Sequence, residues 1–259
     1  MDFDILDDFE NVEMSYVSFL SKGYIAKNKN IFEKIKLTAF SKFILKSCVY
    51  GTPIFKMGNS GKKLLILSGI HGNELPPQLA NLRLLNQLIG LDLNNTIYFI
   101  PFTSPKSTMN NERTFNNVDL NRSAHIYNSL SNNVIKCIEE LKIDFVGDFH
   151  STAYNSNPGR EAVFSSKNPT PESVLIAQYI SKTVGSEIIT YNLAGSQYKG
   201  AVEDVCNLRG IPAITCEVLS PFASVGKGSF EKSFEQMKCF LEYFGFWILV
   251  KCYQYLVIL

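Results

Sequence analysis

Only three histidines occur in the 259-residue chain, His71, His125 and His150. Two of them stand where an apolar strand pattern runs out beside a carboxylate. In LLILSGIHGNELPPQ (64–78) the run Leu64 to Leu67 is followed by His71 and, three residues on, Glu74; a helical pattern from Leu75 to Ile89 then opens with Pro76 and Pro77. GDFHST closes a second apolar segment on His150, and CEVLS closes a third on Glu217. In open α/β sheets ligands bind beyond the carboxyl ends of the strands, so these four side chains are placed to share one crevice. A histidine, a glutamate and a second histidine form a three-donor set that leaves a zinc ion an open position for water, the pattern of catalytic rather than structural zinc. A carboxylate off the metal must then take the proton from that water, and Glu217 is free for the task. His71 and Glu74 alone also fit a histidine at a helix start with a first-turn acid favoured by the helix dipole; it is their company that favours the metal.

The loop NNERTFNNVDLNRS (110–123) is too rich in Asn and Arg for a core element, and it brings Arg113, Asp119, Asn121 and Arg122 close together in sequence. An arginine beside an asparagine can grip a carboxylate through charge-assisted hydrogen bonds. Asp119 can accept the second ring N–H of a zinc-binding histidine. Arg113 also fits a solvated loop charge, and Glu217 a satisfied carboxylate at a strand end. His125 is expected on the surface or in a pocket wall, because a fourth protein ligand would close the metal site.

Taken in order, His71-x-x-Glu74, Asp119-Leu120-Asn121-Arg122, His150 and Glu217 resemble the metallocarboxypeptidase superfamily. That superfamily includes zinc carboxypeptidases, murein tripeptide amidases and the succinylglutamate desuccinylase and aspartoacylase branch, and the resemblance covers roughly residues 60 to 220. It implies that His71, Glu74 and His150 bind one zinc and that Asp119 orients His71. It also implies that Asn121 and Arg122 hold a substrate carboxylate, that Arg113 polarises the scissile carbonyl, and that Glu217 is the general base and acid. TYNLAGSQ resembles the segment that carries the carboxypeptidase tyrosine, which makes Tyr191 the candidate, with Tyr198 close by. Where the family often follows Asn-Arg with Asn and an aromatic, this chain has Ser123-Ala124-His125.

Three functions compete on this pattern. The first is a carboxypeptidase or peptide amidase releasing a residue with a free carboxylate, and the second is an N-acyl amino acid deacylase of the aspartoacylase type. The third is a non-catalytic module on the same fold, since fold does not imply function; the complete donor set and the free base argue against it. The resemblance implies a sizeable β domain after the catalytic glutamate in the deacylase branch. The 42 residues that follow Glu217 here read as one helix and a tail, which tilts the expectation toward a peptidase acting on a small peptide.

Elements able to position these groups follow from the alternation of apolar runs and helical patterns after residue 60. Strands are expected at 63–70, 96–101, 143–149, 186–191 and 211–218, with helices after Thr170, ending at Gly185, and after Ser229, ending at Gly245. That pattern predicts an α/β fold, a mostly parallel mixed sheet with helices on both faces, in one domain over 1–259. Residues 1–60 read as helix or strand, notably NIFEKIKLTAFSKFILKS. A content of 46% hydrophobic and 19% charged residues is ordinary for a globular chain, and the net charge of +1 gives no footprint for nucleic acid. The acidic start MDFDILDDFENVEM lacks the basic region of a secretory signal, which predicts a cytoplasmic protein, and six scattered cysteines are expected reduced. The apolar stretch FGFWILVKCYQYLVIL (244–259) is too short to span a bilayer, and packing as a last edge strand, on the body or on a second subunit, is preferred over membrane attachment.

Overall fold

The computed structural model describes residues 1–246, so the expectation for the apolar tail falls almost entirely on residues outside the described ones. Nine strands form one sheet: β1 (Asp4–Ile5), β2 (Val12–Ser18), β3 (Thr52–Met57), β4 (Lys63–Ser68), β5 (Thr96–Ile100), β6 (Phe145–Thr152), β7 (Ala162–Ser166), β8 (Glu187–Tyr191) and β9 (Ala213–Leu219). Among the described residues eight α-helices accompany them: α1 (Lys29–Phe32), α2 (Ala39–Ser47), α3 (Leu75–Leu88), α4 (Pro105–Asn110), α5 (Leu130–Leu141), α6 (Glu172–Val184), α7 (Val202–Leu208) and α8 (Ser229–Tyr243). The sheet runs β1-β2-β3-β5-β4-β6-β9-β7-β8. Its centre, β5-β4-β6-β9, is parallel, as is the β7–β8 pair, while β1, β2 and β3 extend one side antiparallel and β7 joins β9 antiparallel. This is the expected mixed α/β sheet.

The parallel centre follows from its side chains. Side chains alternate between faces along a strand, so a strand covered on both faces must be apolar throughout. In β4, Leu64 and Ile66 enter a core shared with α2, α3, α6 and α8, whereas Leu65 and Leu67 enter a second core with α5 and α7. All four are essentially inaccessible to solvent. The five expected strands appear as β4, β5, β6, β8 and β9 with ends shifted by a few residues. The undecided segment resolves as α1 and α2, the latter opened by Thr38, whose side chain accepts from Ser41 N. Helix α6 stops at Gly185, whose φ of 74° suits the left-handed turn at a helix end, and α8 is followed by Gly245 at φ 76°. Five cysteines, Cys48, Cys137, Cys206, Cys216 and Cys239, are free and buried, as the sequence suggested, and Cys252 lies outside the described residues. Among the described residues no helix is long and apolar enough to cross a membrane.

Candidate active site

Strands β4, β6 and β9 lie side by side and end at the same edge, and their register sets His150 directly beside Glu217. His71 and Glu74 occupy the turn between β4 and α3. Glu74 sits at the N-cap of α3, where a carboxylate ordinarily accepts from the N–H groups of the second or third helical residue. Here those positions are Pro76 and Pro77, which have no N–H, and the Glu74 side chain makes no cap. The carboxylate is thereby free to turn toward the histidines.

It is buried and held from three sides. Oε1 lies 2.7 Å from His71 Nδ1, Oε2 lies 2.8 Å from His150 Nδ1, and Ser151 N donates to Oε2 at 3.1 Å. Burial by itself would raise the Glu74 pKa, but the two imidazoles beside it hold it well below the usual carboxylate range. Donor atoms of His71, Glu74 and His150 all lie within 4.8 Å of one another, a cluster able to hold a metal ion.

The outward ring nitrogens face carboxylates as well. His71 Nε2 is 3.1 Å from Asp119 Oδ1, and His150 Nε2 is 3.0 Å from Asp148 Oδ2. The Asp148 contact lies off the hydrogen-bonding direction, so we read it as a close ion pair rather than an aligned bond. Opposing burial, Asp148 and Glu74 raise the His150 pKa well above its ordinary value. For Asp119 burial is likewise outweighed, here by the His71 bond and then by Arg113, and its carboxyl stays well below the usual range. Two buried Nδ1 atoms and one carboxylate, with a carboxylate behind each ring, fit a nitrogen- and oxygen-binding metal and the arrangement that fixes histidine ligands.

Glu217 stands apart from this cluster. Its Oε2 is buried and without a hydrogen-bond partner among the described residues, and burial followed by the charge of Glu74 pushes its pKa up to about 8, against the pull of His150 and Arg113. A carboxyl so placed can hold or release a proton near neutrality.

A cavity of about 270 Å³ opens over these groups, with His71, Glu74, Arg113, Asn121, Arg122 and Glu217 in its wall. Arg113 is half-buried and donates to Glu74 Oε1 at 3.3 Å and to Asp119 Oδ2 at 3.2 Å. Arg122 is exposed, with its guanidinium 4.9 Å from the ring centroid of Tyr198 and one N–H donated to Asn121 O at 2.6 Å. Asn121 Oδ1 accepts from Val202 N at 3.4 Å, so its amide N–H groups are the part available to a ligand. The loop holding Arg122 meets Gly200, whose φ is +92° and where a Cβ would fall 2.4 Å from Arg122 O; only glycine fits this approach.

The structure thus gathers His71, Glu74, Arg113, Asp119, Asn121, Arg122, His150 and Glu217 at one edge of the sheet. Tyr191 stacks on Phe164 at 6.3 Å and meets Tyr198 edge-on, and it is Tyr198 that lines the cavity. His125 is exposed. The sequence did not single out Asp148 or Glu203, and it named Tyr198 only as a neighbour of Tyr191. Asp148 precedes His150 by two residues and shares its face of β6, a spacing that could have revealed it. Tyr198 and Glu203 reach the cavity only through the packing of the segment before β9.

The succinylglutamate desuccinylase/aspartoacylase catalytic domain matches residues 60–218, more than half of the chain and the region that carries every one of these groups. The chain belongs to that family. As a member of the succinylglutamate desuccinylase/aspartoacylase family it is similar in fold to an aspartoacylase family protein from Mesorhizobium loti, at 18% identity and a TM-score of 0.60 over 95% of this chain and 70% of that one. It is similar too to an ectoine utilization protein from Ruegeria pomeroyi (15%, TM-score 0.61, 76% of this chain and 63% of that one). A metallo-carboxypeptidase from Burkholderia cenocepacia also shares the fold (13%, TM-score 0.58, 75% and 61%). The chain therefore spans about 60 to 70% of the length of these structures. No curated protein matches it.

Proposed function

We propose that this chain is a zinc-dependent amide hydrolase that releases a residue bearing a free carboxylate, acting as a carboxypeptidase or peptide amidase on a small substrate. The observation that carries the reading is the convergence of His71 Nδ1, His150 Nδ1 and the Glu74 carboxylate, with Glu217, whose Oε2 has no partner among the described residues, in the same cavity. Zinc held by the first three would lower the pKa of a bound water to about 7 and polarise the scissile carbonyl. Glu217 takes the proton and returns it to the departing amine. Arg113, at the cavity wall, stabilises negative charge developing on the carbonyl oxygen. Arg122 and Asn121 hold the substrate carboxylate, and the Tyr198 ring keeps the guanidinium in place. Tyr191 supports Tyr198 from behind rather than touching substrate.

Peptidase action is supported by Tyr198, which lines the cavity next to TYNLAGSQ, the segment that resembles the one carrying the carboxypeptidase tyrosine. A second reading, N-acyl amino acid deacylation, is supported by the family match itself. Zinc-loaded protein should be assayed against short peptides with free carboxyl termini and against N-acetyl and N-succinyl amino acids. Release of carboxyl-terminal residues supports the first reading, turnover of the acyl amino acids alone replaces it with the second, and no turnover of either class overturns both.

A further inference from the structure

Gln78, at the end of the first turn of α3, is fully buried and stands outside the lining of the cavity. Its side chain reaches back along the helix, because Cβ atoms in a helix lean toward its start. Nε2 comes within 2.8 Å of Glu74 O, 3.2 Å of Gly72 O and 3.4 Å of His71 O. Carbonyls only accept, so the amide nitrogen must face them; one of its N–H groups serves Glu74 O and the other is shared between Gly72 O and His71 O. No other side chain among the described residues donates to these three carbonyls.

The turn needs such a donor. A side-chain cap ordinarily fixes the chain as it enters a helix, and Pro76 and Pro77 leave Glu74 without one. The backbone bond that closes the turn, Glu74 N to His71 O, is long at 3.4 Å. The far end of the Gln78 amide is fixed as well: Thr108 Oγ1 donates to its Oε1 at 2.7 Å, and Thr108 O accepts from Asn28 Nδ2 at 2.6 Å. Helix α4, which carries Thr108, rests directly on the turn, since a Cβ at Gly72 would fall 2.1 Å from Ser107 C. Asn28, Thr108 and Gln78 are all buried, so the chain of bonds runs away from water, where an unpaired member is costly.

We infer that Gln78 is a positioning residue for the metal. By pinning the backbone from His71 to Glu74 it presents His71 Nδ1 and the Glu74 carboxylate together before the ion arrives, so that binding does not have to order them. The inference rests on the zinc reading above and is independent of which amide is cut.

The test is the zinc affinity of the folded full chain, measured by competition with a chelator, beside the urea stability of the metal-free protein. Gln78→Met keeps the length of the side chain and removes its donors. We expect it to weaken zinc about 10- to 100-fold, the range for losing a group that supports a ligand, and to alter the visible spectrum of the cobalt-substituted protein. Asn81→Leu is the comparison. Asn81 is also buried on α3, but its Nδ2 donates to Ile66 O, Ser68 Oγ and Ile100 O, none of them in the turn, so its loss should cost stability and leave zinc affinity unchanged. Thr108→Val should weaken zinc in the same direction, and Thr108→Ser, which keeps the hydroxyl, should restore it. Lowered stability in Gln78→Met with zinc affinity and cobalt spectrum unchanged would overturn the inference, as would equal weakening of zinc in Asn81→Leu. If Gln78→Met does not fold, the Thr108 pair decides, and an unmoved zinc affinity in Thr108→Val overturns it. A wild type that holds no zinc sinks the proposed function and this inference together, whereas weakened zinc in Gln78→Met with no hydrolysis of any substrate sinks the proposed function alone.

Discussion

Replacing Glu217 with glutamine should make the metal-free protein more tolerant of alkali while removing its activity. The carboxyl is enclosed with one oxygen unpartnered, and burial and Glu74 push its pKa up to about 8 from an ordinary 4.5. Between those values the folded chain keeps a proton that the unfolded chain has lost. The stabilising contribution is therefore fully present below pH 4.5, falls as pH rises, and is gone above pH 8. At ~1.4 kcal/mol per pH unit the whole interval corresponds to as much as ~5 kcal/mol. Solvent reaching the partly exposed residue screens some of this, so we expect about 2 to 4 kcal/mol. Glutamine keeps the shape and does not titrate. Urea denaturation of chelator-treated protein at pH 5 and pH 9 should show the wild type losing that much more stability than Glu217→Gln. The zinc-loaded variant should retain its metal while kcat falls by at least ~10²-fold. Parallel pH profiles for the two proteins would refute the enclosure of Glu217, and normal turnover would assign the proton to another group.

The metal set and the carboxylate site can be tested separately. Purified protein should carry about one zinc per chain; His150→Ala should lose most of it, and Asp148→Asn should weaken metal affinity by about 10- to 100-fold, read by competition with a chelator. Retention of stoichiometric zinc by His150→Ala would sink the ligand assignment. Amidating the substrate carboxylate, or making Arg122→Ala, should each lower kcat/KM by the equivalent of about 1.5 to 3 kcal/mol, and the two together by much less than the sum because they remove one contact. Full additivity would place the carboxylate elsewhere.

What the sequence made legible was what lies on strands and at their ends. A run such as Leu64 to Leu67 has to be a buried strand, and His71, His150 and Glu217 are visible because each interrupts or ends such a run. Asp119 and the Asn121–Arg122 pair were legible because a polar loop of that composition cannot be core. The three antiparallel strands β1 to β3 were not, since the part-buried residues 13–17 of β2 give a weaker alternation than a strand covered on both faces. Strand β7, AVFSS, was hidden by its brevity and by the two serines that end it, both fully buried. Tyr198 and Glu203 were illegible for a different reason. Their positions at the cavity come from a turn and a short helix folded back over β9, and nothing local to GAVEDVCNL distinguishes a carboxyl facing a cavity from one facing solvent.

Strand β9 follows all the other described strands in the chain yet lies between β6 and β7. Until residues 213–219 have been made, β6 and β7 each present an open edge, and β8 can pair only with β7. An emerging chain therefore carries two unfinished half-sheets whose exposed edges invite pairing with other chains, and closing them requires a contact of long sequence separation. Because Glu217 travels on that closing strand, His71, Glu74 and His150 are all synthesised before it, and hydrolytic competence is delayed until the sheet is whole.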